Sequence, residues 1–289
     1  MTSLHKVTRD ELPILLEWTA KYLPLSYKHY ETIQAKIQGI WQGTPLYTLG
    51  WPDIRAVGEG PADSSECQCA DYFNKFQATS VFSPNSEDLE ELLTTPGFLD
   101  WTKPIIFYAI CHDNGDVVEK VSNATGTKYN TRYVNHAFLA NPGDVVERTI
   151  PDGFHIRSLD PDLHSDYVAS TWPHHRLHTN QYIAEVLKSF PSVGVFDSDG
   201  NCVGVELVVE WGYGSFLHVK DEVRGLGLAS CIVSHLAQKR FQENKPFLAA
   251  TLTSNKAAIS LHEKLGFKIV YQMDWFVHSM SSEKVVLSQ

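Results

Sequence analysis

The sequence predicts a mixed α/β chain built as two domains, residues 1–150 and 151–289, and three observations carry that expectation. The hydrophobic period switches repeatedly between about 3.6 and 2 along the chain, so helices and strands alternate. The stretch LANPGDVVERTIPDG (139–153), punctuated by Pro, Gly and Asp, separates two halves of different texture. A hydrophobic content of 43% beside 20% charged residues over 289 positions suffices for a sizeable core.

In the first half, ELPILLEWTAKYL (11–23) repeats apolar positions at helical spacing, SEDLEELL (86–93) opens a helix with Ser86 as its N-cap, and PIIFYAI (104–110) reads as a buried strand. The second half is sharper. After the short strand FHIRSL (154–159) come helices around 160–172 and 180–190, the second with Ile183, Val186, Leu187 and Phe190 on one stripe. The period then becomes two. SVGVFDSDGNCVGVELVVEW (192–211) predicts a hairpin turning at Asp199-Gly200, with Val203, Val205, Leu207 and Val209 on one face and Glu206 and Glu210 on the other. SFLHVK (215–220) is a further strand, and Leu228, Ala229, Ile232, Val233, Leu236 and Ala237 mark a helix beginning near Gly227. A strand PFLAATL (246–252), a helix NKAAISLHEKL (255–265) closed by Gly266, and a strand FKIVYQMDWFV (267–277) follow.

Composition excludes several function classes. A net charge of −10 without a cluster of Lys and Arg argues against nucleic-acid or anionic-membrane binding, because phosphates and acidic headgroups attract concentrated positive charge. No apolar run approaches the length of a membrane span. Five cysteines are an odd number, and Cys67-x-Cys69 lacks a second pair or flanking histidines, so a reduced intracellular chain without a metal is expected. The opening MTSLHKVTRDELPILLEW carries acidic residues at 10 and 11 and resembles neither a signal nor a transit peptide.

The order strand, VRGLGLAS (223–230), helix is the most informative stretch. Glycines at 225 and 227 remove Cβ atoms where backbone must come close to something, and the helix start leaves N–H groups unpaired. Converging amides at the positive end of a helix dipole favour a phosphate or pyrophosphate; tight packing of a plain strand–turn–helix junction is the alternative.

Arg224-Gly225-Leu226-Gly227-Leu228-Ala229, preceded by FLHV, resembles the Arg/Gln-x-x-Gly-x-Gly/Ala signature of the GNAT acyltransferase superfamily. Thirty residues on, SNKAAISLHEKLGF is similar to that superfamily's second motif. YVASTW (167–172), KSFPSVGVFDSDGNCVG (188–204) and WPDIRAV (51–57) resemble segments of the glycine N-acyltransferase-like family. The resemblance implies a C-terminal GNAT fold preceded by an N-terminal α/β domain, and transfer of an acyl group from acyl-CoA or acetyl-CoA to the amino group of glycine, another amino acid or a small amine, without a metal. It puts the pyrophosphate on the amides of residues 224–229, assigns Asn255 to the cofactor site, lines the pantetheine arm with Leu217 and Val219, and makes the Val219 N–H the donor to the thioester oxygen.

The resemblance also carries candidates for proton transfer. Where the superfamily has a tyrosine as proton donor this chain has His262, on a helix face shared with Ala258 and Leu265; a buried structural histidine is the alternative. The family's glutamate base has no counterpart in WGYGSFLHV, which leaves Glu210 as the nearest carboxylate and His218 beside the oxyanion donor; the alternative is two glutamates solvated on an exposed hairpin face and a packed His218. His174, His175, His178 and Arg176 in PHHRLH (173–178) are candidates to hold an acceptor carboxylate, or else belong to a solvated loop.

Two other functions stay open: a catalytically weak acyl-CoA-binding module, and an acetyltransferase acting on protein amines. The expected partners are acyl-CoA and a small amine, with no nucleic acid or membrane, in a monomer or weak dimer. A cytoplasmic location is expected; the mitochondrion, where mammalian relatives reside, is the alternative.

Overall fold

The computed structural model describes residues 4–62, 67–74, 76–173 and 177–281. Among these, two compact units emerge, one from the residues up to Asn135 together with Tyr271–Ser281, the other from His136–Val270.

In the first unit the strands are β1 (Leu4–Lys6), β2 (Leu46–Leu49), β3 (Ala56–Glu59), β4 (Ala78–Thr79), β5 (Val81–Phe82) and β6 (Ile105–Cys111), and the helices are α1 (Leu12–Ala20), α2 (Tyr27–Ile37), α3 (Ala70–Asn74), α4 (Ser86–Thr94) and α5 (His112–Ala124). β1-β2-β3-β5 form an antiparallel sheet, and β4 runs parallel to β6. The cap of α4 is Asn85 and not Ser86: the Asn85 side chain accepts from the Glu87 and Asp88 N–H groups, a reach that Ser86, already in the first turn, does not have. A buried ion pair joins Lys28 to Glu59, and Tyr108 OH donates to the same carboxylate at 2.5 Å.

β7 (Tyr129–Ala140) carries the chain out of the first unit. The second unit contains β8 (His155–Arg157), α6 (Pro161–Thr171), α7 (Thr179–Ser189), β9 (Ser192–Phe196), β10 (Cys202–Val208), β11 (Tyr213–Val219), α8 (Leu228–Gln242), β12 (Phe247–Leu252), α9 (Lys256–Leu265) and the start of β13 (Lys268–Ser279). β8, β9, β10 and β11 pair antiparallel in sequence order and β12 adds parallel to β11, so the sheet is mixed. The hairpin closes at Asp197, whose carboxylate accepts from the Asp199 and Asn201 N–H groups at 3.0 and 2.8 Å. Val195, Val203, Ile232, Leu236, Phe247 and Phe267 belong to one buried cluster.

The division differs from a boundary near residue 150. β7 spans the junction, and the later part of β13 pairs antiparallel with β6, Phe276 opposite Phe107 and His278 opposite Ile105, which returns the end of the chain to the first unit. Residues 144–149 form a strap over α8 and α9: Val146 N donates to Leu265 O (2.9 Å), Ser234 Oγ donates to Val146 O (3.3 Å) and accepts from Arg148 N (3.2 Å), and Cys231 Sγ faces Thr149 O at 3.3 Å. Gly266 caps α9 in the left-handed conformation (φ 99°), and a Cβ there would run into the Asp144 carbonyl.

Among the described residues no helix is long and apolar enough to cross a membrane, and no group of three or more His, Cys, Asp or Glu stands together to hold a metal ion.

Candidate functional site

The site is built on β11. Two residues of this strand, Phe216 and Leu217, oppose the single Glu206 of β10, because Leu207 pairs with Ser215 while Val205 pairs with His218. Phe216 takes a positive φ of 62° at this bulge, and its ring packs on Trp172 at 5.1 Å. On the other edge, β11 meets β12 only at Tyr213–Leu248 and Gly214–Ala249, and the remainder of the two strands is unpaired with each other. The edge of β11 from Ser215 to Val219 therefore faces a gap. Lys220 N donates to Val203 O on β10 at 2.8 Å, and the alternation of an antiparallel ladder then turns the Val219 N–H away from β10 and into that gap. Leu217 and His218 are half-buried there.

At the end of β11 the chain makes the glycine-rich turn. Gly225 and Gly227 both adopt left-handed φ values, 82° and 81°, and a Cβ on either would meet nothing within 4 Å, so it is the backbone conformation and not crowding that demands glycine. Gly227 is the N-cap of α8 and supplies no side chain to its first N–H groups; Cys231 N is the first to close back, onto Gly227 O at 3.2 Å. Arg224 holds the turn to the strand, its Nε donating to Val219 O at 3.0 Å while its Nη2 pairs with Asp221 at 2.6 Å. Leu226 is exposed and Leu228 and Ala229 point into the unit, so the groups the turn offers are mainly amides. Asn255 caps α9, its Oδ1 accepting from Ala258 N at 3.1 Å.

The acid–base candidates fare differently. Neither glutamate is solvated on a hairpin face: Glu206 is buried on β10, an interior strand flanked by β9 and β11 and covered by α8, and Glu210 is buried in the turn that follows β10. Glu210 Oε2 accepts from Tyr182 OH at 2.6 Å, a phenol from α7 that sequence spacing did not single out. Burial pushes the Glu206 carboxyl up to about 8. Burial, followed by the Arg224 charge, lowers His218.

His262 is 4% exposed, stacked on Phe138 (5.0 Å between centroids) and edge-on to Phe267 (5.3 Å). Its Nδ1 lies 2.8 Å from the Ala258 carbonyl, which only accepts, so the one proton of the neutral ring sits on Nδ1 and Nε2 is a bare, buried acceptor. Burial lowers its pKa, the Ala258 carbonyl opposing. This geometry weighs against His262 as a proton donor to a leaving group and fits the structural alternative. His174, His175 and Arg176 lie outside the described residues, and His178 precedes α7 with its Nδ1 2.7 Å from Gln181 Oε1.

The FR47-like protein family model matches residues 192–276, the span from β9 into β13 that holds the bulge, the gap and the turn. A mouse glycine N-acyltransferase is 24% identical over 265 residues, covering 85% of this chain and 88% of that protein. Over most of its length the chain is similar to that glycine N-acyltransferase, and its C-terminal part matches the FR47-like family. Its fold is shared along almost its whole length by a Drosophila protein (TM-score 0.78, 14% identity, 97% of this chain and 99% of that one). It is shared also by a GCN5-related N-acetyltransferase from Sphaerobacter thermophilus (TM-score 0.60, 12% identity, 99% and 98%). The chain is thus a mixed α/β protein that shares the fold of a GCN5-related N-acetyltransferase, and its glycine turn and open strand edge sit inside the matched family region.

Proposed function

We propose that the protein transfers an acyl group from an acyl-CoA thioester to the amino group of glycine, another amino acid or a small amine. The observation that carries this reading is the pairing of an open β11 edge with a side-chain-free turn at the start of α8. The turn offers backbone amides from 224 to 229 to a pyrophosphate, and the helix dipole favours its charge. The β11 edge offers the main chain of Leu217 and Val219 to the amide groups of the pantetheine arm, and the inward-turned Val219 N–H donates to the thioester oxygen as the carbonyl becomes tetrahedral. Asn255, whose carbonyl is used by the α9 cap, keeps its NH2 for the cofactor.

Glu210 takes the proton that an ammonium must lose before its nitrogen attacks, and the Tyr182 phenol holds that carboxylate in place. His218 supports the strand next to Val219. The acidic balance of the chain, −10, favours neutral or cationic amines over acidic ones as acceptors. The test is release of free CoA thiol across a panel of acyl-CoAs and amines, with CoA binding measured separately. Binding without thiol release for any amine overturns the enzymatic reading and leaves an acyl-CoA-binding module.

A further inference from the structure

The two units repeat one order of elements. Strand, two helices, three strands, helix, strand, helix, strand runs from β1 to β7, with β4 and β5 as one bent strand and α3 as an extra turn, and again from β8 to β13. The likeness extends to the strand that carries the gap. β11 pairs with β10 and meets β12 only at its start; the bent strand 78–82 pairs with β3 through Val81 and Phe82 and with β6 only at its start, Ala78 opposite Ile106 and Thr79 opposite Phe107. A cavity of about 370 Å³ opens where the ends of β5 and β6 part, lined there by Phe82, Ser83, Cys111 and Asn114.

This cavity is not built for a nucleotide-bearing thioester. The amides at the start of α4 are already taken, Asn85 Oδ1 accepting from Glu87 N at 2.8 Å and Asp88 N at 3.2 Å, and the carboxylates of those two residues repel an anion. The strand edge is closed as well. The Asn114 side chain accepts from Ser83 N (3.1 Å) and donates to Ser83 O (2.9 Å), so the first residue past β5 is already bonded across the gap.

What remains is an aromatic wall and one negative charge. Tyr22 and Phe82 line the cavity with their ring centroids 5.7 Å apart, and Trp18 packs edge-on against both at 5.1 and 5.9 Å, so the wall is fixed from behind. Leu23 and Leu25, in the link between α1 and α2, are partly exposed and add apolar surface. Asp113, exposed at the start of α5, forms no ion pair among the described residues, and no lysine, arginine or histidine stands among the described residues of the lining. The volume falls in the range of about 300–1,000 Å³ common to small-molecule sites. Ring faces and an unpaired carboxylate are together the complement of an organic cation. We propose that the cavity binds a small primary amine, its ammonium on the Asp113 carboxylate and its apolar body against Tyr22, Phe82, Leu23 and Leu25. The first unit thereby has a binding function of its own, and it stands whether or not the acyl-transfer reading does.

The test is titration of the full chain with 2-phenylethylamine, followed by the NMR shifts of its backbone amides, with 2-phenylethanol and phenylacetate as the neutral and anionic counterparts. Saturable shifts should appear around Leu23 and Asp113, the alcohol should bind more weakly than the amine, and phenylacetate should not bind. Asp113→Asn should weaken the amine about threefold or more and Asp113→Lys should abolish its binding; the side chain is exposed, so both variants keep the core. Glu210→Gln, in the other unit, should leave these shifts and their midpoint as they are. Equal affinity in wild type and both Asp113 variants, or an alcohol that binds as tightly as the amine, overturns the ammonium assignment. A loss confined to Glu210→Gln puts the amine in the second unit, which overturns this site and leaves the acyl-transfer reading standing.

Discussion

Replacing His262 by alanine separates a packing residue from a proton donor. The ring is 4% exposed between Phe138 and Phe267, so alanine leaves a cavity with two aromatic faces unfilled. Buried aromatic-to-alanine changes cost roughly 3–5 kcal/mol; an imidazole is smaller and already carries an unpaired Nε2, which lowers the figure, while the lost bond to Ala258 adds about 1 kcal/mol. The net expectation is about 2–4 kcal/mol, a fall in Tm on the order of 10 °C for a unit of this size. His262→Phe, which refills the slot and removes the unpaired nitrogen, should melt close to wild type. Unfolding is followed by circular dichroism, and turnover by thiol release at a temperature where every variant is folded. A His262→Ala protein that melts like wild type but turns over about 100-fold more slowly refutes the packing assignment and restores His262 as the acid.

Gly227→Glu should abolish CoA binding in a folded protein by placing a carboxylate among the turn amides, and calorimetric titration with CoA reads the loss directly. Glu210→Gln should reduce kcat about 10²-fold or more with little effect on CoA affinity, and Tyr182→Phe should reduce it less, since the phenol only orients the carboxylate. In the first unit, burial raises the Glu59 carboxyl, but the charges of Lys28 and His29 and the hydrogen bonds from Lys28 and Tyr108 together outweigh it and lower the pKa, so its contribution to stability is present above the usual carboxylate range and is lost as pH falls through the folded-state value; Glu59→Gln should cost about 3–5 kcal/mol in denaturant unfolding at neutral pH. Asn85→Ala should cost about 1 kcal/mol, and Ser86→Ala much less.

Local pattern made the second unit legible. The Asp199-Gly200 turn, the period-two strands around it, the left-handed glycines ahead of α8 and the Gly266 cap are all written in neighbouring residues, and the structure has each of them. Whether Glu206 and Glu210 are buried or solvated stayed open in the sequence, because alternation gives the face a side chain points to and not what covers that face. The return of β13 to β6 was invisible for a related reason: Phe107 and Phe276 are neighbours in a ladder although most of the chain lies between them, and no short-range period encodes such a pairing. His262 was recognisable by position, while the two phenylalanines that enclose it come from β7 and from beyond the α9 cap.

The strap at 144–149 has a practical bearing on how this molecule can be cut. Its sequence looks like a tether, yet Val145 is buried and the backbone that follows it is bonded to the middle of α8 and the end of α9. A protease probing the native protein should pass over it, because cleavage needs the backbone to be lifted clear and here the lifting would break the bonds to two helices. A fragment begun at residue 151 would lack that cover and expose the seam between α8 and α9 to solvent. One begun at His136 would keep the strap.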